Sequence, residues 1–152
     1  MAHQKDLDSV FIEMAFTFAK LSKAVRRQVG CIIVKDGQVI SNGFNGTPCG
    51  FDNTCENASD KAGIPSIHTK PEVLHAESNA LMKIARSTNS SLGATMYLTC
   101  SPCFDCAKLI IQSGIFRLVY KDDYRTSEGI DLLRQTNIII DKFEGTAVSK
   151  KI

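Results

Sequence analysis

Apolar residues recur at helical spacing near the start of the chain. Leu7, Val10, Phe11, Met14, Ala15 and Phe18 predict an amphipathic helix over 6–22 that packs on a core. The period then changes. Val29-Gly30-Cys31-Ile32-Ile33-Val34 has the continuous apolar, β-branched character of a strand buried on both faces, with Cys31 as a small buried hydrophobe. Lys35-Asp36-Gly37-Gln38 reads as a hairpin turn, because Asp-Gly tolerates positive φ, and 39–44 as the returning strand. Over about 47–70 neither period holds, which predicts a long, largely irregular insertion.

Beyond it, Leu74, Leu81, Ile84 and Ala85 predict a helix over about 74–87. Thr69-x-x-Glu72 would fit a capping box that starts it near 70, but a start at His75 is favoured. A third strand is expected over 94–99, then a helix to about 113 with Pro102 at its first position. A fourth strand over 115–120, a helix over 127–135 and a short strand over 138–140 follow, and a frayed tail over 144–152. Strands alternating with helices predict an α/β chain: one domain over 1–152, a five-stranded mixed sheet with helices on both faces, its opening strands paired as a hairpin.

The bulk numbers fit one ordinary globular domain: 152 residues, 43% hydrophobic and 22% charged. Eighteen basic against sixteen acidic residues give a net charge of only +2. The longest basic clusters are Arg26-Arg27 and Lys150-Lys151, and there is no tryptophan. A surface that tracks nucleic acid by charge and stacking is therefore not expected. No apolar run approaches a membrane span, and Asp6, Asp8 and Glu13 interrupt any signal-peptide pattern. Six cysteines without such a signal suggest a reducing setting, with the cytoplasm as the expected location.

Chemistry concentrates in two short stretches, His75-Ala76-Glu77 and Pro102-Cys103-Phe104-Asp105-Cys106. A catalytic zinc takes three protein ligands and leaves a fourth position open. His75, Cys103 and Cys106 supply three, and Glu77 remains free for proton transfer. Residues two apart sit about 200° around a helix. His75 and Glu77 can therefore serve one site only beyond the end of their helix. This H-x-E…P-C-x-x-C pattern is the one carried by zinc nucleobase deaminases. A closed structural zinc site, or a non-catalytic zinc-stabilised binding module, is the competing reading of the same ligands.

With these motifs the sequence resembles the cytidine/deoxycytidylate deaminase superfamily, and within it the deoxycytidylate (dCMP) deaminases, including those of phages. The likeness runs over about 6–140 through Arg26-Arg27-Gln28-Val29-Gly30, Gly43-Phe44-Asn45-Gly46-Thr47-Pro48, His75-Ala76-Glu77-Ser78-Asn79-Ala80, Ser101-Pro102-Cys103-x-x-Cys106 and Tyr124-Arg125. It implies a cytidine deaminase-like fold and hydrolysis of dCMP to dUMP and ammonia, supplying dUMP for dTMP synthesis. Free cytidine or a base in nucleic acid is the alternative substrate.

The resemblance also implies that Asn45 and Asn79 contact the sugar and base, that Arg26 and Tyr124 hold the 5′-phosphate, and that Ala76 and Ser101 line the substrate site. It implies a homohexamer activated by dCTP and inhibited by dTTP, with Mg²⁺ accompanying the triphosphate. Gly43, Phe44, Asn45, Gly46 and Arg86 match the allosteric region. Phe44 departs from the tyrosine of many relatives. Some relatives carry a second zinc in the insertion. Cys49, Cys55 and His68 are available here, but at no tight ligand spacing.

Overall fold

The structure, a computed structural model, describes residues 3–145. The predicted frayed tail falls outside that range from 146 onward, as do Lys150 and Lys151. The elements run α1 (Gln4–Ala19), β1 (Gly30–Lys35), β2 (Gln38–Phe44), β3 (Glu56–Lys61), β4 (Ile64–Thr69), α2 (Ala76–Ala85), β5 (Thr95–Cys100), α3 (Phe104–Gln112), β6 (Arg117–Asp122), α4 (Glu128–Leu133) and β7 (Ile139–Lys142).

Five strands form one sheet in the order β2-β1-β5-β6-β7. β1 pairs antiparallel with both β2 and β5, whereas β5–β6 and β6–β7 are parallel. The mixed sheet expected from the sequence is therefore present. Asp36 and Gly37, at φ 51° and 74°, make the β1–β2 turn at the Asp-Gly that marked it.

Side-chain alternation sorts the core into two layers. Ile32, Val34, Tyr97 and Val119 face α1, against Phe11, Ile12 and Ala15. Cys31, Ile33, Met96, Leu98, Leu118 and Tyr120 face the other way, toward Ala80 and Ile84 of α2, Ala107 and Ile110 of α3, and Ile130 and Leu133 of α4. Helices cover both faces. Among the described residues no helix is long and apolar enough to cross a membrane.

Two expectations need correction. The predicted stripe of α1 departs at Val10, which is 52% exposed. Leu7, Phe11, Met14, Ala15 and Phe18 pack on the core as expected, and Asp8, Ile12 and Ala19 are buried beside them. Asp8 belongs to the buried face because Arg117 of β6 meets it there with two hydrogen bonds of 2.8 Å. A hydrophobic pattern cannot anticipate a charge neutralised from 109 positions away.

The insertion is also more ordered than expected, because β3 and β4 pair as an antiparallel hairpin over its second half. Its turn uses Ala62 and Gly63 at φ 57° and 75°. Alanine rarely adopts that region, and the strands carry polar residues on both exposed faces. Neither turn chemistry nor alternation therefore marked the hairpin.

Candidate metal and active site

Both halves of the chemical motif sit at helix starts. His75 is the N-cap of α2, extended at φ −76° and ψ 160°, and Glu77 lies in the first turn. The start favoured from sequence is the observed one, and Thr69 instead accepts a 3.3 Å hydrogen bond from Arg26 Nη1. Cys103 is the N-cap of α3, and its Sγ accepts from the Cys106 backbone N–H at 3.5 Å. Pro102 therefore stands before the N-cap rather than at the first helical position, because the sulfur itself caps the helix. Two helix N-termini converge, and their dipoles favour the thiolate and carboxylate forms there.

Close backbone approaches hold these starts in place. Gly43 of β2 lies under α2 such that an added Cβ would collide with the Ala76 carbonyl oxygen and sit 2.7 Å from the Ala80 nitrogen. Gly129 of α4 is pressed against the Cys103 loop: a Cβ there would collide with the Pro102 carbonyl and lie 2.8 Å from that of Cys103. Gly129→Ala is accordingly expected to displace Cys103. It should weaken zinc binding by about 10–100-fold, the usual range for disturbing the support of a ligand. Competition against a chromophoric chelator measures it, and unchanged affinity would show that the loop absorbs the methyl group.

His75 Nδ1 lies 3.4 Å from Cys103 Sγ and 3.4 Å from Cys106 Sγ. Zinc–sulfur and zinc–nitrogen bonds in a tetrahedron require about 3.6 Å between such atoms. The donor set thus fits zinc in chemistry and in spacing. Among the described residues it is the one His/Cys/Asp/Glu cluster gathered this way. Cys49 is exposed, Cys55 is buried, and His68 hydrogen-bonds Ser66 at 3.0 Å. The second metal that some relatives carry has no assembled ligand set in the described residues.

The thiols are tuned against one another. A hydrogen bond with Cys106 and another with His75 bring the Cys103 thiol down to about 4, despite burial. Cys106 is pushed up as the partner that keeps its proton, by that hydrogen bond and by burial. The hydrogen bond to Cys103 raises His75 against the opposing effect of burial. Cys100 also borders the cleft, but burial holds its thiol at about 11, outside the ligand set. Metal capture would release the remaining proton.

Glu77 is 4% exposed, and burial raises its carboxyl to about 7. An acid tuned there can take and return a proton near neutrality. It lies on the floor of a cleft of about 740 Å³, within the size range of small-molecule sites.

Of the residues expected to bind substrate, Arg26, Asn45, Ala76, Ser101 and Tyr124 line this cleft. Asn45 is tightly held: its Oδ1 accepts from Val29 N–H at 2.9 Å and its Nδ2 donates to the Arg27 carbonyl at 2.8 Å. Ser101 Oγ accepts from the Tyr124 backbone N–H at 2.7 Å, tying the loop after β6 to the loop after β5.

Asn79 lies elsewhere. Its amide donates to the Phe44 carbonyl at 2.9 Å, and it lines a second concavity with Phe44, Asn45, Gly46 and Lys83. Lys83 sits 5.7 Å from the centre of the Phe44 ring. Arg86 is exposed at the end of α2. The cleft also gathers Arg27, Arg125 and Glu56, which the sequence did not single out as site residues. Arg27 and Arg125 stood in the matched motifs, whereas Glu56 lay in the stretch without a pattern.

What the two helix starts bring together is one imidazole, two cysteine sulfurs and a carboxylate left over, a donor set that fits the zinc site of a hydrolase. Residues 5–122 match the family described as the cytidine and deoxycytidylate deaminase zinc-binding region, and the chain belongs to that family. The deoxycytidylate deaminase of Enterobacteria phage T4 is 35% identical over an alignment covering 86% of each chain. That of Mycobacterium phage D29 is 37% identical, over 76% of this chain and 94% of its own. The solved dCMP deaminase of cyanophage S-TIM5, in complex with dCMP and dUMP, superposes with a TM-score of 0.84 at 39% identity. It covers 93% of this chain and 99% of that one.

Proposed function

We propose that the chain hydrolyses dCMP to dUMP and ammonia. The carrying observation is the buried Glu77 carboxyl beside a His-Cys-Cys set with zinc spacing, on the floor of a cleft flanked by Arg26, Arg27 and Arg125. The relatives named deoxycytidylate deaminases, and the S-TIM5 complex above all, support this substrate.

Zinc held by His75, Cys103 and Cys106 supplies a Lewis acid that makes water nucleophilic near neutral pH. Glu77 takes a proton from the attacking water and delivers it to the ring nitrogen beside the reacting carbon. A second transfer through the same carboxylate lets the amino group leave as ammonia. Ala76 and Ser101 line the base end of the cleft. Asn45 shapes the sugar region, and Asn79 fixes the strand end that carries it. Arg26 and Tyr124 take the 5′-phosphate, a role suited to the planar donor fork of arginine. Arg125, 5.3 Å from the centre of the Tyr124 ring, adds a cation beside it. A comparison of dCMP with deoxycytidine tests the phosphate assignment. Losing the phosphate should lower kcat/KM, and Arg26→Ala should erase most of that preference. Equal turnover of both substrates would remove the arginines from the site.

The reading extends to control and assembly. A triphosphate in the second concavity, which Phe44, Asn45 and Gly46 line, is the regulatory ligand, with the adjacent Gly43 and the α2 C-cap Arg86 as further parts of the allosteric region: dCTP with Mg²⁺ as activator and dTTP as inhibitor, within a homohexamer. Asn45 borders both concavities, which gives effector and substrate one shared element. An effector must bind two states of the protein unequally, and such coupling is usually about 5–150-fold. The dCMP saturation curve should therefore shift with each triphosphate, and identical curves in their presence and absence would end the regulatory reading. The product dUMP feeds dTMP synthesis in the cytoplasm, without nucleic acid or membrane as partner.

A further inference from the structure

Glu56 is an anion in a cleft built for an anionic ligand. It is half-buried at the start of β3 and lines the same cleft as His75, Glu77, Arg26 and Tyr124. Its Oε1 accepts from the backbone N–H groups of Val25 at 2.9 Å and Arg26 at 3.2 Å. That carboxylate is therefore fixed in position beside the backbone that carries Arg26. No protein hydrogen bond engages its second oxygen, Oε2, among the described residues.

A carboxylate beside a phosphate site repels the ligand unless a proton donor stands between them. Arg26 already donates to Thr69, so its guanidinium is not spent on Glu56. The base end of the cleft is fixed by the metal ligands and Glu77, and the phosphate end by the arginines. Between the two lies the sugar. A 2′-deoxynucleoside 5′-phosphate has one hydroxyl there, at the 3′ carbon, and a carboxylate can only accept from it.

We infer that Glu56 is a specificity-determining residue that accepts a hydrogen bond from the 3′-hydroxyl of the substrate. The hairpin of β3 and β4, which the sequence showed only as a stretch without periodicity, thereby contributes directly to nucleotide recognition. The assignment rests on the proposed dCMP activity and goes beyond it. It selects against nucleotides whose 3′ oxygen is missing or phosphorylated, since a 3′-phosphate would place a second anion against the carboxylate.

The test crosses one substrate change with one protein change. The kcat/KM of wild type and of Glu56→Gln is measured with dCMP and with 2′,3′-dideoxycytidine 5′-monophosphate. Glutamine keeps an oxygen for the Val25 and Arg26 amides, so the local fold is preserved. A hydrogen bond to a charged acceptor commonly accounts for about 10- to 100-fold. Wild type should lose that factor on the dideoxy substrate. Glu56→Gln should lose it on dCMP and lose little more when the 3′-hydroxyl is removed. An equal loss by Glu56→Gln on both substrates would overturn the contact and leave Glu56 as a support for the Arg26 backbone alone. Wild-type indifference to the 3′-hydroxyl would overturn it as well. Failure of wild type to convert dCMP at all would instead bring down the activity on which the inference rests.

Discussion

Glu77→Gln is expected to keep its metal and lose turnover by at least about 10²–10⁴-fold, the range for removing a positioned acid–base group. The amide matches the carboxylate in shape and fills the same buried space, but it cannot shuttle a proton. The proposed ligands His75, Cys103 and Cys106 form a complete set without Glu77, so zinc content should stay near one per chain. Metal analysis paired with an ammonia-release assay reads both quantities. Loss of zinc would make Glu77 a ligand or a support for one, and full turnover would exclude it as the proton carrier. A non-catalytic zinc module predicts no activity to lose.

The largest effect on stability is expected away from the cleft, at Asp8 and Arg117. Arg117 donates to both oxygens of Asp8 and, through Nε, to Asp141 at 2.7 Å. Tyr97 and Gln4 add donors to Asp8 at 2.8 and 2.9 Å. Burial alone would raise the Asp8 carboxyl, but the hydrogen bonds from Arg117, Gln4 and Tyr97 outweigh it and hold it below the usual range. Arg117→Met leaves that buried carboxylate without its cation, which typically costs about 3–5 kcal/mol. Chemical denaturation at neutral pH measures the loss. The double variant Asp8→Leu with Arg117→Met should be less damaged than Arg117→Met alone, because no uncompensated charge remains.

The pH dependence follows from the direction of the Asp8 shift. A carboxyl depressed by folding contributes stability above its unfolded value of about 3.9, and that contribution is lost as pH falls through the folded value. The gap between wild type and Arg117→Met should therefore be widest near neutrality and should narrow below about pH 4. A gap that stays constant down to pH 2 would show that the pair contributes through packing rather than charge.

What the sequence could reveal followed from how local its signals are. Ile32-Ile33-Val34 and the Asp36-Gly37 turn encode a hairpin within a few residues, and β1 and β2 formed there. The gathering of His75, Cys103 and Cys106 was legible because their spacing is tied to two helix starts, each marked by chemistry of its own. The burial of Asp8 was not legible in the sequence because its partner arrives through the sheet from β6, and no local pattern carries that information. The β3–β4 hairpin escaped because polar strands with both faces exposed have no alternation to read. Glu56 escaped with it. Asn79 stood beside the motif in sequence, yet the helix turns its amide toward Phe44 and the second concavity.

The most direct test of the central claim is product stoichiometry with the zinc-loaded wild-type chain and dCMP. One dUMP and one ammonia per dCMP consumed are expected, with neither formed after zinc is stripped and both restored when it is returned. Zinc-loaded chain that leaves dCMP untouched, or that deaminates single-stranded DNA in its place, would contradict the account.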